Sequence, residues 1–146
     1  MAFEIHPYTS CSFCDDLSGA RGCAIVAENE FAVAEINHRQ YERGAMLVLS
    51  RAHRESILDI ERQELEGVYR LVRVVAHGAV KALSAKGMNI FQNNGGRAGQ
   101  SEPHFHVHVV PRYEDGDPHK IFQQNACQLL SLEEQRLVAA MIRAAL

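Results

Sequence analysis

Residues 104–111 read His104-Phe105-His106-Val107-His108-Val109-Val110-Pro111, and no other stretch constrains this chain as tightly. Three histidines alternate with apolar residues. Alternate side chains of a strand point to opposite faces, so the spacing predicts a strand with imidazoles on one face and Phe105, Val107 and Val109 on the other. Three polar rings in register contribute little as core filler, which makes the imidazole face a candidate for chemistry. Strand rise puts His104 and His108 about 13 Å apart along the backbone, too far for a straight strand to bring all three rings onto one ion. Two neighbours sharing an ion, or a division of roles, remain open.

The loop before the strand is Asn93-Asn94-Gly95-Gly96-Arg97-Ala98-Gly99-Gln100-Ser101. Glycines permit positive φ, and successive N–H groups in such turns can cradle an anion. Asn93, Gln100 and Ser101 add side-chain donors, and Arg97 and Arg112 place positive charge near the two ends of the region. A Gly-rich loop alone often marks only a hairpin. Joined directly to three aligned imidazoles, it describes a phosphate site.

Near the N-terminus stands a second motif, Cys11-Ser12-Phe13-Cys14. Its spacing admits a zinc knuckle, a redox pair or small buried residues. No second C-x-x-C follows, so one chain cannot build a four-cysteine site. Cys23 and Cys127 read as small core residues. His6, His38, His77 and His119 read as solvated or locally bonded.

The rest of the chain reads as one α+β domain over residues 1–146, with a core of about 12–112 and an extension over 113–146. A short helix is expected over 12–19, stopped by Gly19. Strands are expected over 23–28, 31–37, 45–49, 88–92 and 104–110. Leu65, Val68, Val72, Val75, Ala79 and Leu83 recur at spacings of three and four, predicting a long helix over 60–83. Gly67 and Gly78 each weaken it by about 1 kcal/mol. Ser131 and Glu134 form a capping box for a terminal helix over 132–145. The expected architecture is therefore a mostly antiparallel sheet covered by a long helix and a C-terminal helix. The segment from Tyr113 to Pro118 is acidic and turn-rich and reads as a surface loop.

Net charge of −3 and a pI near 6.2 argue against nucleic acid as a partner, while leaving room for a small phosphorylated ligand. The first ten residues lack the basic and apolar blocks of a signal peptide, and no apolar run is long enough to span a membrane. Four cysteines suit a reducing compartment, so a cytoplasmic protein with no membrane partner is expected.

The stretch NNGGRAGQSEPHFHVHVVPR, from Asn93 to Arg112, resembles the signature of the histidine-triad (HIT) family of nucleotidyl hydrolases and transferases. The resemblance runs from about Ser12 to Arg112. It implies a five-stranded sheet, and often a homodimer. It implies a nucleotide phosphohydrolase or nucleotidyl transferase in which His106 attacks the α-phosphorus and a nucleotidyl-histidine forms before water releases it. Substrates of that kind are dinucleoside polyphosphates and nucleoside phosphoramidates. Ser101 matches the position assisting the leaving group. His108 and Asn93 match positions contacting the α-phosphate, and the backbone of Gly99, Gln100 and Ser101 matches the phosphate-binding turn. Asn37 matches the position that binds ribose hydroxyls; as a strand-end Asn it also suits turning the chain. The resemblance further implies a structural zinc held by Cys11, Cys14, His53 and His104, with no catalytic metal. Ala45, Ser50-Arg51 and Glu102-Pro103 depart from the family pattern and bear on substrate preference. A nucleotide-binding regulator with slow turnover and a zinc-dependent hydrolase are the alternative functions.

Overall fold

The structure is a computed structural model and describes residues 3–5, 7–117 and 127–146. The chain runs α1 (Ser12–Ser18), β1 (Ile25–Glu28), β2 (Ala32–Ile36), β3 (Arg39–Gln40), β4 (Met46–Ser50), α2 (Arg62–Leu83), β5 (Gly87–Phe91), a 3₁₀ turn (Gly96–Ala98), β6 (His106–Arg112), β7 (Gln128–Leu129) and α3 (Leu132–Arg143). Five strands form an antiparallel sheet in the order β1-β2-β4-β6-β5. The short strands β3 and β7 pair separately, Arg39 opposite Leu129 and Gln40 opposite Gln128. Two-residue strands carry no readable alternation, so neither was expected from the sequence.

Register sorts the sheet into two chemically different faces. Residues directly opposed across antiparallel strands share a face. Ala34, Val48 and Val107 form one such row, and Ile36, Met46 and Val109 the next. Both rows join Phe105 and the buried face of α2 (Val68, Leu71, Val72, Val75, Ala79 and Leu83) in the main core, with Ala139 and Ile142 of α3. The opposite face carries Val33, Leu49 and His106 in one row, and Glu35, Leu47, His108 and Phe91 in the next. A smaller cluster covers part of it, built from Cys11, Phe13, Leu47 and Leu49 with Cys14 and Leu17 at its margin. Helix α1 thus lies over the imidazole face.

Of the two weak points in α2, Gly67 has a packing reason. A Cβ built on Gly67 would lie 2.5 Å from the Cβ of Phe31, and one on Gly78 would lie 2.6 Å from Leu146 and 3.1 Å from Ile142. Gly67 lets Phe31 approach closer than a Cβ would allow, whereas the nearest atom at Gly78 is the flexible tip of Leu146. The capping box on α3 is formed as expected: the Ser131 hydroxyl accepts from the Glu134 N–H, and the Glu134 carboxylate accepts from the Ser131 N–H. Helix α1 ends at Gly19, with φ of 80°.

Strand β6 starts two residues later than expected. The His104 N–H bonds back to the Glu102 carbonyl at 2.8 Å, so it cannot join a ladder, and pairing begins at His106. Alternation of faces survives the irregularity. The segment after β6 is tied down as far as Asp117: Arg112 bonds the Asp117 carbonyl and reaches Glu42, and the Tyr113 hydroxyl donates to the Arg43 carbonyl at 2.8 Å. His6 and His119 lie outside the described residues.

Candidate functional site

Each histidine of the triad is held by a different contact. The buried ring of His104 places Nε2 2.7 Å from the Ser50 carbonyl. A carbonyl can only accept, so Nε2 carries the proton and Nδ1 keeps its lone pair. That Nδ1 lies 3.3 Å from Cys11 Sγ and 3.6 Å from Cys14 Sγ. His53 repeats the arrangement. Its Nε2 lies 2.7 Å from the Tyr8 hydroxyl, which also donates to Glu55 at 2.9 Å, and its Nδ1 lies 3.2 Å from Cys14 Sγ.

The four donor atoms of Cys11, Cys14, His53 and His104 all lie within 4.8 Å of one another. Zinc bonds of about 2.0–2.3 Å in a tetrahedron require ligand-to-ligand edges of about 3.5 Å, which the sulfur–nitrogen separations match. Two thiols and two imidazoles with bare Nδ1 atoms fit zinc by donor type as well as by spacing. Burial and the neighbouring Cys11 thiol push Cys14 up to about 11, and burial lowers His104 to about 4. Tyr8 and the Ser50 carbonyl orient these rings but carried no signal in the sequence, because neither is near its partner along the chain.

His106 stands apart from this cluster. Its Nδ1 lies 2.7 Å from the His104 carbonyl, so Nδ1 donates and Nε2 holds the lone pair. Burial lowers its pKa against the opposing pull of that carbonyl and of the Glu102 carboxylate, keeping the ring neutral. The ring of Phe13 meets it edge-on at 4.9 Å. His108 stacks on Phe91 with centroids 4.4 Å apart and planes 11° apart. Its Nδ1 is buried without a protein partner, and burial lowers its pKa to about 3. The structure therefore supplies two neutral imidazoles side by side, 5.0 Å between centroids, each with an unengaged nitrogen.

The preceding loop is braced from inside. The Gln100 side chain is buried: its oxygen accepts from the Gly95 N–H at 2.7 Å, and its amide donates to the Glu55 and Glu102 carbonyls. The Gly99 and Gln100 N–H groups bond the Gly96 and Gly95 carbonyls, closing the 3₁₀ turn. Gly99 adopts φ of 82°, a left-handed conformation that suits glycine. Ser101 is exposed beyond the turn, and Asn93 donates to the Gly99 carbonyl at 3.4 Å. Asn37 is buried at the end of β2, where its side-chain oxygen accepts from the Arg39 N–H at 3.0 Å, so it does turn the chain there. Arg112 faces Glu42 and Asp117, while Arg97 is exposed in the loop.

Neither Cys23 nor Cys127 is the core residue expected: both are only partly buried and outside the two apolar clusters. Cys23 sits with Asp16 and Glu35, their donor atoms within 4.8 Å of one another.

The family model for the HIT domain matches residues 20–115. The chain belongs to the HIT family. A HIT relative from Mycoplasma genitalium, an uncharacterised HIT-like protein, is 34% identical over 113 residues, covering 77% of this chain and 80% of that one. The adenosine 5'-monophosphoramidase of Schizosaccharomyces pombe is 28% identical, over 70% of this chain and 74% of its own. Among solved structures, a zinc-bound histidine-triad protein of Mycobacterium smegmatis superimposes with a TM-score of 0.79 at 28% identity, covering 93% of this chain and 92% of that one. The five-stranded antiparallel sheet with its helices is the HIT fold.

Proposed function

We propose that this HIT protein is a nucleotide phosphohydrolase or nucleotidyl transferase acting at the α-phosphate through a nucleotidyl-His106 intermediate. The observation that carries this reading is the 2.7 Å contact from His106 Nδ1 to the His104 carbonyl. It leaves the Nε2 lone pair as nucleophile and meets the positive charge that develops on the ring when Nε2 is phosphorylated.

In the first step Nε2 forms a bond to the α-phosphorus. The bond from phosphorus to the leaving group breaks, its electron pair going to the leaving atom, which takes up a proton assisted by the Ser101 hydroxyl. In the second step water supplies the new oxygen–phosphorus bond and loses a proton, and the nitrogen–phosphorus electrons return to Nε2. His108, Asn93 and the turn at Gly99, Gln100 and Ser101 hold the phosphate, with the Ser101 amide as the backbone donor outside the internal bonds of that turn. Asn37 holds the ribose, for which its amide nitrogen remains after its oxygen has turned the chain. The likeness to a monophosphoramidase supports nucleoside phosphoramidates, beside dinucleoside polyphosphates, as the substrate class.

Cys11, Cys14, His53 and His104 would hold a zinc ion that ties α1 to the sheet. Four protein donors close a tetrahedral site, so its role is structural. No helix among the described residues is long and apolar enough to cross a membrane, and thiols kept reduced for a metal fit the cytoplasm. Self-association as a homodimer would use the edge of β5, which no other strand among the described residues pairs on its outer side.

A rapid-quench reaction with adenosine phosphoramidate, read by intact mass, tests the intermediate. The wild type accumulates or passes through a nucleotidylated species, and His106→Asn loses turnover by about 10⁴-fold or more while still binding adenosine monophosphate. Equal turnover by His106→Asn overturns the covalent route. A second reading, a slow nucleotide-binding regulator, draws on the 3% exposure of His106 beneath Phe13 and on the acidic Glu102 beside it. Tight nucleotide binding with no cleavage of either substrate class selects that reading.

A further inference from the structure

The imidazole face carries a second cluster that the proposed reaction does not use. The row that holds His108 continues through Leu47 to Glu35, so Glu35 points to the same face two strands away. Above it, Asp16 comes from α1 and Cys23 from the segment leading into β1. The three donor atoms lie within 4.8 Å of one another. Glu35 is 4% exposed and Asp16 5%, while Cys23 is only partly buried and leaves one side open to solvent.

Asp16 is paired with Arg21, whose guanidinium bonds both its carboxylate oxygens from a partly exposed position. Glu35 lies against Asp16 and Cys23 yet keeps one oxygen, Oε2, buried without a hydrogen bond among the described residues. A native structure seldom leaves a buried carboxyl oxygen unpaired, and a bound cation is one way to satisfy it. Each carboxylate oxygen has more than one acceptor site, so Asp16 can keep Arg21 and still coordinate.

We propose that Asp16, Cys23 and Glu35 form a second site for a divalent cation of the zinc class. The thiol selects zinc, cobalt or cadmium over magnesium and calcium, which take all-oxygen sites. Binding displaces the proton from Cys23 and any proton on Glu35, and leaves a coordination position for water. The site would fasten the C-terminal end of α1 as Cys11 and Cys14 fasten its start.

Equilibrium dialysis of the full chain against limiting zinc, with metal counted by mass spectrometry, tests the assignment. The wild type retains about two equivalents; Cys23→Ser and Glu35→Gln retain about one, as does Cys14→Ser by loss of the other site. Affinity at the second site falls by more than the roughly 10–100-fold typical of an outer-shell partner. A spectroscopic arm uses cobalt in a Cys11→Ser/Cys14→Ser variant, where a thiolate-to-cobalt charge-transfer band is expected that Cys23→Ser abolishes and Cys127→Ser preserves. In the same Cys11→Ser/Cys14→Ser background, Glu35→Gln, nearly isosteric and uncharged, folds without metal but loses the remaining zinc-dependent rise in melting temperature. The assignment is overturned if folded wild type and folded Cys23→Ser retain equal zinc, or if the cobalt band follows Cys127.

Discussion

Stripping zinc from the site proposed at Cys11, Cys14, His53 and His104 is the perturbation that best separates a structural metal from a reacting one. The cluster joins residues far apart in sequence: Cys11 meets His104 across 93 positions. It also fixes α1, whose seven residues are too few to be helical alone. A ligand that binds only the folded chain stabilises it by about 2.7 kcal/mol when present at about 100 times its dissociation constant. For a chain of this length each kcal/mol shifts the melting temperature by about 2–4 °C, so chelation should lower it by about 5–11 °C. The shift should scale with the logarithm of free zinc. Helix α1 carries Phe13, the edge-on neighbour of His106 and His104, so loosening α1 exposes the proposed nucleophile, His106, to water. Turnover well below the transition should therefore fall only in proportion to structure lost. The assay is a thermal melt at graded free zinc alongside initial rates on the same samples. Abolished turnover with an unmoved melting temperature would refute the structural role and place the metal in the chemistry. An unmoved melting temperature with unmoved turnover would remove zinc from this cluster.

Two further outcomes follow from local geometry. Tyr8→Phe removes the hydroxyl that holds His53 Nε2 and should weaken zinc binding about 10-fold or more, with little change in the metal-free melt; a competition titration against a chelator reads it. Gly67→Ala raises helix propensity by about 1 kcal/mol, yet its Cβ would sit 2.5 Å from Phe31 Cβ, close to the main chain, and overpacking of that kind costs about 1–3 kcal/mol. The variant should unfold at lower urea than the wild type, and a higher midpoint would show that β2 shifts freely.

Much of the site was legible because strand periodicity is a local rule. Alternation from His104 to Val109 sends Phe105, Val107 and Val109 to the core and the imidazoles to the other face, and register with β4 keeps that division even though His104 itself stands outside the strand. The spacing of Leu65 to Leu83 marked the buried face of α2, and Ser131 with Glu134 marked the start of α3. Gln100 read as a ligand-facing donor, whereas its side chain is consumed inside the loop as a brace. Glu35 offered a signal in retrospect, as the one acid in an otherwise apolar strand.

Sequence alone determined which residue types lie in register on β6, because a two-residue repeat needs only neighbours along the chain. It also determined the stop of α1 at Gly19 and the start of α3 after Ser131, since capping bonds close within a single turn. Only tertiary structure decided which ring nitrogen is free. That depends on the carbonyls of His104 and Ser50 and the hydroxyl of Tyr8, and for two of the three rings the partner is about 50 residues away. The meeting of Asp16 and Cys23 with Glu35 was likewise a matter of how α1 lies across the sheet, a contact no periodicity encodes.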